Sequence, residues 1–104
     1  MKKSLKNIAD EGFPYTAFIL EQMCMKVNAN PDNIDFGKQD WFHSFEWYEE
    51  QEEEFIEWLA DYLYNNKEAR KELLRFPSRS KKVMRRAAEQ FVFNYGWKLK
   101  QKPE

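Results

Sequence analysis

The residues whose types could do chemistry are concentrated in one stretch, Glu46 to Tyr64, which reads EWYEEQEEEFIEWLADYLY. Closely spaced carboxylates can shuttle protons, hold divalent cations or face a cationic partner. The choice depends on whether they point into a core or away from it. At a helical step of about 100° per residue, Phe55, Ile56, Leu59, Tyr62 and Leu63 fall on one side of the stretch. Glu46, Glu49, Glu50, Glu53, Glu54, Glu57 and Asp61 fall on the other, with Tyr64 beside them. The acids therefore oppose the apolar stripe, which removes a di-metal or catalytic cluster built in a bundle core. Glu53, Glu57 and Asp61 form a column at helical i, i+4, i+8 spacing. Like charges so placed repel by a few tenths of a kcal/mol per pair, so the column gains from a cationic neighbour.

The remaining candidates for chemistry are few. His43 is the single histidine and Cys24 the single cysteine. Cys24 falls among apolar residues, where a thiol is usually inert packing. His43 falls in an aromatic segment, where a structural or surface histidine is expected rather than a catalytic one. Asp32, Asp35 and Gly37 hint at a calcium loop, but the register puts Ile34 and Phe36 where ligands are needed. Gly12, Gly37 and Gly96 are too far apart for a phosphate-binding loop. The sequence predicts no catalytic residue, no metal site and no cofactor.

The elements that must position the acidic stretch read as helices. Glycine and proline are scarce and aromatics make up 17% of the 104 residues, which favours a packed helical core over a loop-rich or all-β chain. Ser4 can cap a short first helix with Leu5, Ile8 and Ala9 inward, ending at Gly12. Pro14 suits the first position of a second helix that runs to about Val27. Its inner face is Tyr15, Phe18, Ile19, Gln22 and Met23, widened by Ala17, Leu20, Cys24 and Met25. Residues 28–35 are a loop by composition. Residues 41–47 form an irregular aromatic segment, and the acidic helix proper starts near Tyr48.

Asn65 and Glu68 have capping-box spacing, so a short helix from Asn66 to Arg75 follows; one long helix through both asparagines is the alternative. Pro77 stops this helix. Ser78 or Ser80 caps the last one, which runs to about Tyr95 with Val83, Met84, Ala87, Ala88, Phe91 and Tyr95 inward. Gly96 then suits the left-handed position past the helix end, with Trp97 folding back on Val92. The expected fold is all-α, a single domain over residues 1–104 built as a bundle of four to five helices, with residues 1–3 and 98–104 frayed. No signal peptide or membrane span is legible, which predicts a cytoplasmic protein.

Charge is distributed unevenly. Residues 30–66 carry 11 acidic residues and one lysine, net −10, whereas residues 67–104 carry 12 basic and 4 acidic, net +8. Such asymmetry indicates internal pairing or a charged partner. Two helices sharing one core turn their charged faces away from each other, so internal pairing is expected to be partial.

Two functions follow as expectations. The first is a non-enzymatic protein-interaction module whose acidic face (Glu49, Glu50, Glu53, Glu54, Glu57, Asp61, Tyr64) meets a basic protein surface. By analogy with proteins that imitate the phosphate backbone, it would occupy the basic groove of a nucleic-acid-processing protein, as a small phage or mobile-element inhibitor does. The alternative is a helix-turn-helix-like regulator that grips nucleic acid through Arg79, Lys82, Arg85, Arg86 and Phe93 on the last helix.

Overall fold

The structure, a computed structural model, describes residues 2–38, 40–74 and 80–94. Among them are five α-helices and no strand: α1 (Leu5–Asp10), α2 (Pro14–Lys26), α3 (Glu49–Asn65), α4 (Lys67–Leu73) and α5 (Lys81–Phe93). The all-α reading is met. The acidic helix α3 is central: it packs most extensively along α5 and also touches α4 and α2, while α1 packs on α2. Phe55, Ile56, Leu59 and Leu63 are its buried stripe. Burial of each such side chain favours folding by about 1.5–3 kcal/mol.

Local sequence explains most helix ends. Ser4 and Asn7 form a reciprocal capping box at the start of α1. Gly12 (φ +104) then closes the helix, with the Phe13 amide donating to Ile8 O and the Gly12 amide to Ala9 O. Asn28 (φ +57) closes α2 in the same way, through the Ala29 amide to Cys24 O and the Asn28 amide to Met25 O. Both are Schellman ends, made by the two residue types that adopt the left-handed conformation most readily. At the start of α3, Gln51 Oε1 accepts from the Tyr48 amide at 3.1 Å, and Glu49, Glu50 and Glu52 sit in the first turn, where the helix dipole favours negative charge. Residues 48–73 are two helices rather than one. The cap between them is one residue later than the spacing suggested: Asn66 Oδ1 accepts from the Ala69 amide at 3.0 Å, while Asn65 Nδ2 donates back to Asp61 O.

Two ends are completed by tertiary contacts that local sequence does not show. Phe13, at the N-cap of α2, offers no side-chain acceptor. Glu72 of α4 takes the role: its carboxylate accepts from the Tyr15 amide at 3.2 Å and from the Thr16 amide and hydroxyl at 2.5 and 2.7 Å. At the other end of α4's reach, Arg70 Nη1 donates to Leu63 O at 2.9 Å and Tyr64 O at 2.7 Å, the last turn of α3. The short helix thus places an anion at one helix N-terminus and a cation at another's C-terminus, both favourable to the helix dipoles.

Residues 41–47 are irregular: a 3-10 turn over Trp41–Ser44, then extended backbone into Tyr48. Trp41 and Phe45 are buried there, and ring contacts run on without a break from Phe36 through Trp41, Phe45 and Trp47 to Phe55. The loop is fastened to the N-terminus. Asp35 Oδ1 accepts from the Lys3 and Gly37 amides, and the Phe36 amide donates to Lys3 O. Lys3 is therefore tied down where a frayed end was expected.

Several inward assignments are corrected. Phe18 and Met25 were expected on the inner face of α2 or its flank but are exposed, and Thr16 is buried in their place. The core centre of α2 is rotated toward α1 and α4, because Thr16 can be buried once Glu72 satisfies its hydroxyl. Val83 of α5 is exposed and Val92 buried, because α5 turns toward α3. Arg75, Phe76, Pro77, Ser78, Arg79, Tyr95, Gly96 and Trp97 lie outside the described residues, so the readings placed on them do too; Ser80 Oγ lies 3.5 Å from the Val83 amide at the start of α5.

Candidate protein-interaction surface

The acidic face of α3 divides into three lines. On the α5 side, Arg85 Nη2 donates to both Glu53 oxygens at 2.7 and 2.9 Å. That hydrogen bond is the main reason the guanidinium is held further into its charged form than usual; Glu89 lies one turn along α5, 3.6 Å from Arg85 Nε. On the α2 side, Lys26 Nζ pairs with Glu54 Oε2. Between these edges Glu50, Glu57 and Asp61 are exposed, and no ion pair reaches them among the described residues. Among the described residues the ion pairs of α3 are thus confined to its edges, and Arg85 acts on Glu57 only at longer range. The proposed column loses Glu53 to Arg85. Its solvent-facing members are Glu50, Glu57 and Asp61, with Glu49 exposed in the first turn.

Tyr64 does not share that outward line. It is half-buried against the core, and Lys81 Nζ stands 5.4 Å from its ring centroid. This is a correction: Tyr64 keeps the angular position of the acids, on the Glu53 edge, but α5 packs along that edge and its first residue supplies the cation.

Beside the acids is a feature that α3 alone could not reveal. Phe18 (40% exposed), Met25 (64%) and Trp58 (37%) form an open apolar edge between α2 and α3. Trp58 stacks on Tyr62 with centroids 5.2 Å apart and planes at 15°, and Phe18 approaches both rings. Burial, with Tyr15 and Glu72 near, pushes the Tyr62 phenol above its ordinary pKa. Phe18 and Met25 are expected inward by spacing alone, because apolar residues at helical spacing normally face a core. The available signal was the excessive width of the apolar band on α2, which one helix cannot bury on every side.

At the basic end, the described residues depart from the outward-facing expectation at Arg85. Lys82, Arg86 and Phe93 are exposed on α5, but Arg85 is engaged by Glu53 and Glu89, and Arg79 is outside the described residues. A helix-turn-helix rests its recognition helix on the helix before it. Here α4 packs on α2 and α3, and the principal partner of α5 is α3.

Cys24 and His43 lie in opposite environments. Cys24 is buried, and burial, reinforced by Glu21, pushes its thiol up to about 11 against an opposing backbone hydrogen bond; it is therefore neutral at physiological pH. His43 is exposed in the 3-10 turn, edge-on to Phe42. Among the described residues no group of three His, Cys, Asp or Glu side chains is placed to hold a metal ion, and no helix is long and apolar enough to cross a membrane. No protein-family model matches the chain, and neither curated proteins nor solved structures gave a match.

Proposed function

We propose that the chain is a non-enzymatic protein-interaction module that presents the outward face of α3 to a basic protein surface, in the manner of a small inhibitor filling the groove of a nucleic-acid-processing protein. The observation that carries this reading is the contrast along α3. Glu53 and Glu54 are paired with Arg85 and Lys26, whereas Glu50, Glu57 and Asp61 stand exposed with no ion pair among the described residues, the Arg85 charge acting on Glu57 only at longer range. A helix that keeps mutually repelling acids on its solvent face gains free energy when a cationic surface arrives. The nucleic-acid alternative has weaker support, because Arg85 is internally occupied and a strongly acidic segment adjoins the basic helix.

The test is affinity capture from the native host with the wild-type chain and with the triple reversal Glu50→Lys/Glu57→Lys/Asp61→Lys, whose folding is verified by circular dichroism. Specific partners are expected to disappear from the reversed bait. An identical set of captured proteins overturns the reading.

A further inference from the structure

The free acids of α3 are sparse. Glu49, Glu50, Glu57 and Asp61 span about 18 Å of helix axis at 1.5 Å per residue, whereas a DNA strand carries one charge per ~3.4 Å. So few charges can attract a basic surface but do little to select one. A selecting contact has to lie beside them, in a place where apolar area can be removed from water.

Such a place adjoins the acids directly. Between α2 and α3 is an open cleft of about 310 Å³ lined by Gln22, Met25, Lys26, Glu54, Phe55 and Trp58. Its apolar walls are Met25, Phe55 and Trp58, with Gln22, Lys26 and Glu54 lining the rest, and Trp58 and Met25 remain exposed. Tryptophan and methionine are the residue types enriched where proteins meet, and an exposed Trp in a cleft is the usual form of an energetic anchor. Lys26 is the cation in the lining, and Glu54 already neutralises it. Asp61 follows Trp58 by three residues on α3 and Glu21 precedes Met25 by one turn on α2, and both are exposed. Each wall therefore carries an exposed acid that the Lys26–Glu54 pair does not neutralise.

We infer that this cleft is the anchor site of the acidic face, and that its occupant is a basic, amphipathic polypeptide segment. The segment inserts an unbranched or aliphatic side chain, of Leu or Met type, between Met25 and Trp58. Its Lys or Arg residues lie along Glu57 and Asp61. The apolar half of the lining favours an apolar inserted group, and the exposed acids beside it favour cations around that group. A nucleic-acid strand or an acidic peptide meets those acids with like charge. The inference rests on the acidic-face reading above and names the partner chemistry of that surface.

The full chain is titrated with three synthetic helical peptides matched in length: one of Leu and Lys with its leucines on one face, one of Lys alone, and one of Leu and Glu. Affinity and the nuclear magnetic resonance signals of the Trp58 indole and Met25 methyl are followed. The Leu/Lys peptide is expected to bind about tenfold or more tighter than the all-Lys peptide, the equivalent of burying one aliphatic side chain, and to shift both signals. Met25→Lys, at an exposed position that folding does not need, should remove that advantage and leave only the weaker binding expected of the added like charge; Trp58→Ala should remove it without weakening all-Lys binding. Equal affinity for the Leu/Lys and all-Lys peptides overturns the cleft assignment and leaves the acidic face standing. All-Lys binding that is unchanged by Glu57→Lys/Asp61→Lys overturns the acidic-face reading itself. Equal binding of the Leu/Glu peptide overturns the basic partner. A concentration-dependent dimer abolished by both Phe93→Ser and Met25→Lys assigns the cleft to a second copy of the chain and overturns a foreign segment.

Discussion

Glu72 Oε2 accepts hydrogen bonds from both the amide and the hydroxyl of Thr16, at 2.5 and 2.7 Å. The two residues are 56 positions apart in sequence. Thr16 is fully buried, and α2 has no side-chain cap of its own, so a carboxylate from α4 substitutes for the missing cap and allows a polar side chain into the core.

Glu72→Ala is therefore expected to destabilise the fold by about 2–3 kcal/mol, since it strands the Thr16 hydroxyl and orphan amides of α2. Glu72→Gln keeps an acceptor and should cost less. Thr16→Val in the Glu72→Ala background should recover part of the loss, because the stranded hydroxyl is gone. Denaturant melts of the four chains measure this; equal midpoints for wild type and Glu72→Ala would show that water caps α2 as well as the carboxylate does.

Asp61→Lys should raise stability while weakening partner binding. The change replaces repulsion with Glu57 by an i, i+4 Glu-to-Lys attraction in the better orientation and puts a cation toward the C-terminal end of α3, gains of about 0.3–1 kcal/mol together. Thermal melting at low and high salt checks it, and the gain should shrink as salt screens the surface. A surface acid whose removal stabilises the free protein but weakens binding to a basic peptide is retained for recognition rather than folding.

Cys24 should resist modification. Burial raises its thiol from 9.0 to about 11, so the thiolate fraction at neutral pH falls on the order of a hundredfold and alkylation of the native chain is slower by at least that factor than of the unfolded chain. The stability consequence has a definite sign. Below pH 9.0 the thiol is neutral in both states. As pH rises from 9.0 toward about 11 the unfolded chain ionises first, and stability falls. Cys24→Ala should lack this part of the alkaline loss, which urea melts of the two chains across that range will show.

Asp35 should govern the N-terminal tie in the opposite pH direction. The Lys3 and Gly37 amides hold its carboxyl below the ordinary carboxylate value. The contact is therefore fully present above that ordinary value and is lost as pH falls through the lower folded one. Hydrogen exchange at the Lys3 and Gly37 amides, extrapolated to a common intrinsic rate, should show protection that disappears under acid; Asp35→Asn should show reduced protection with little dependence on pH.

The sequence by itself determined the helices and most of their ends. Ser4, Gly12 and Pro14 act within a few residues of where they stand, and cap chemistry of that range is readable from types and spacing. The opposition of acids and apolar residues along α3 was legible for the same reason, since helical periodicity depends only on one helix.

Only the tertiary structure decided which acids remain free. Arg85 reaches Glu53 and Lys26 reaches Glu54 because α5 and α2 flank α3 on opposite sides, a fact about helix placement that no single helix encodes. The same holds for Phe18 and Met25. Their spacing is that of core residues, and their exposure follows from where α1, α3 and α4 leave α2 uncovered. A residue's own pattern specifies a face; whether that face meets another helix or water depends on contacts between residues distant in sequence.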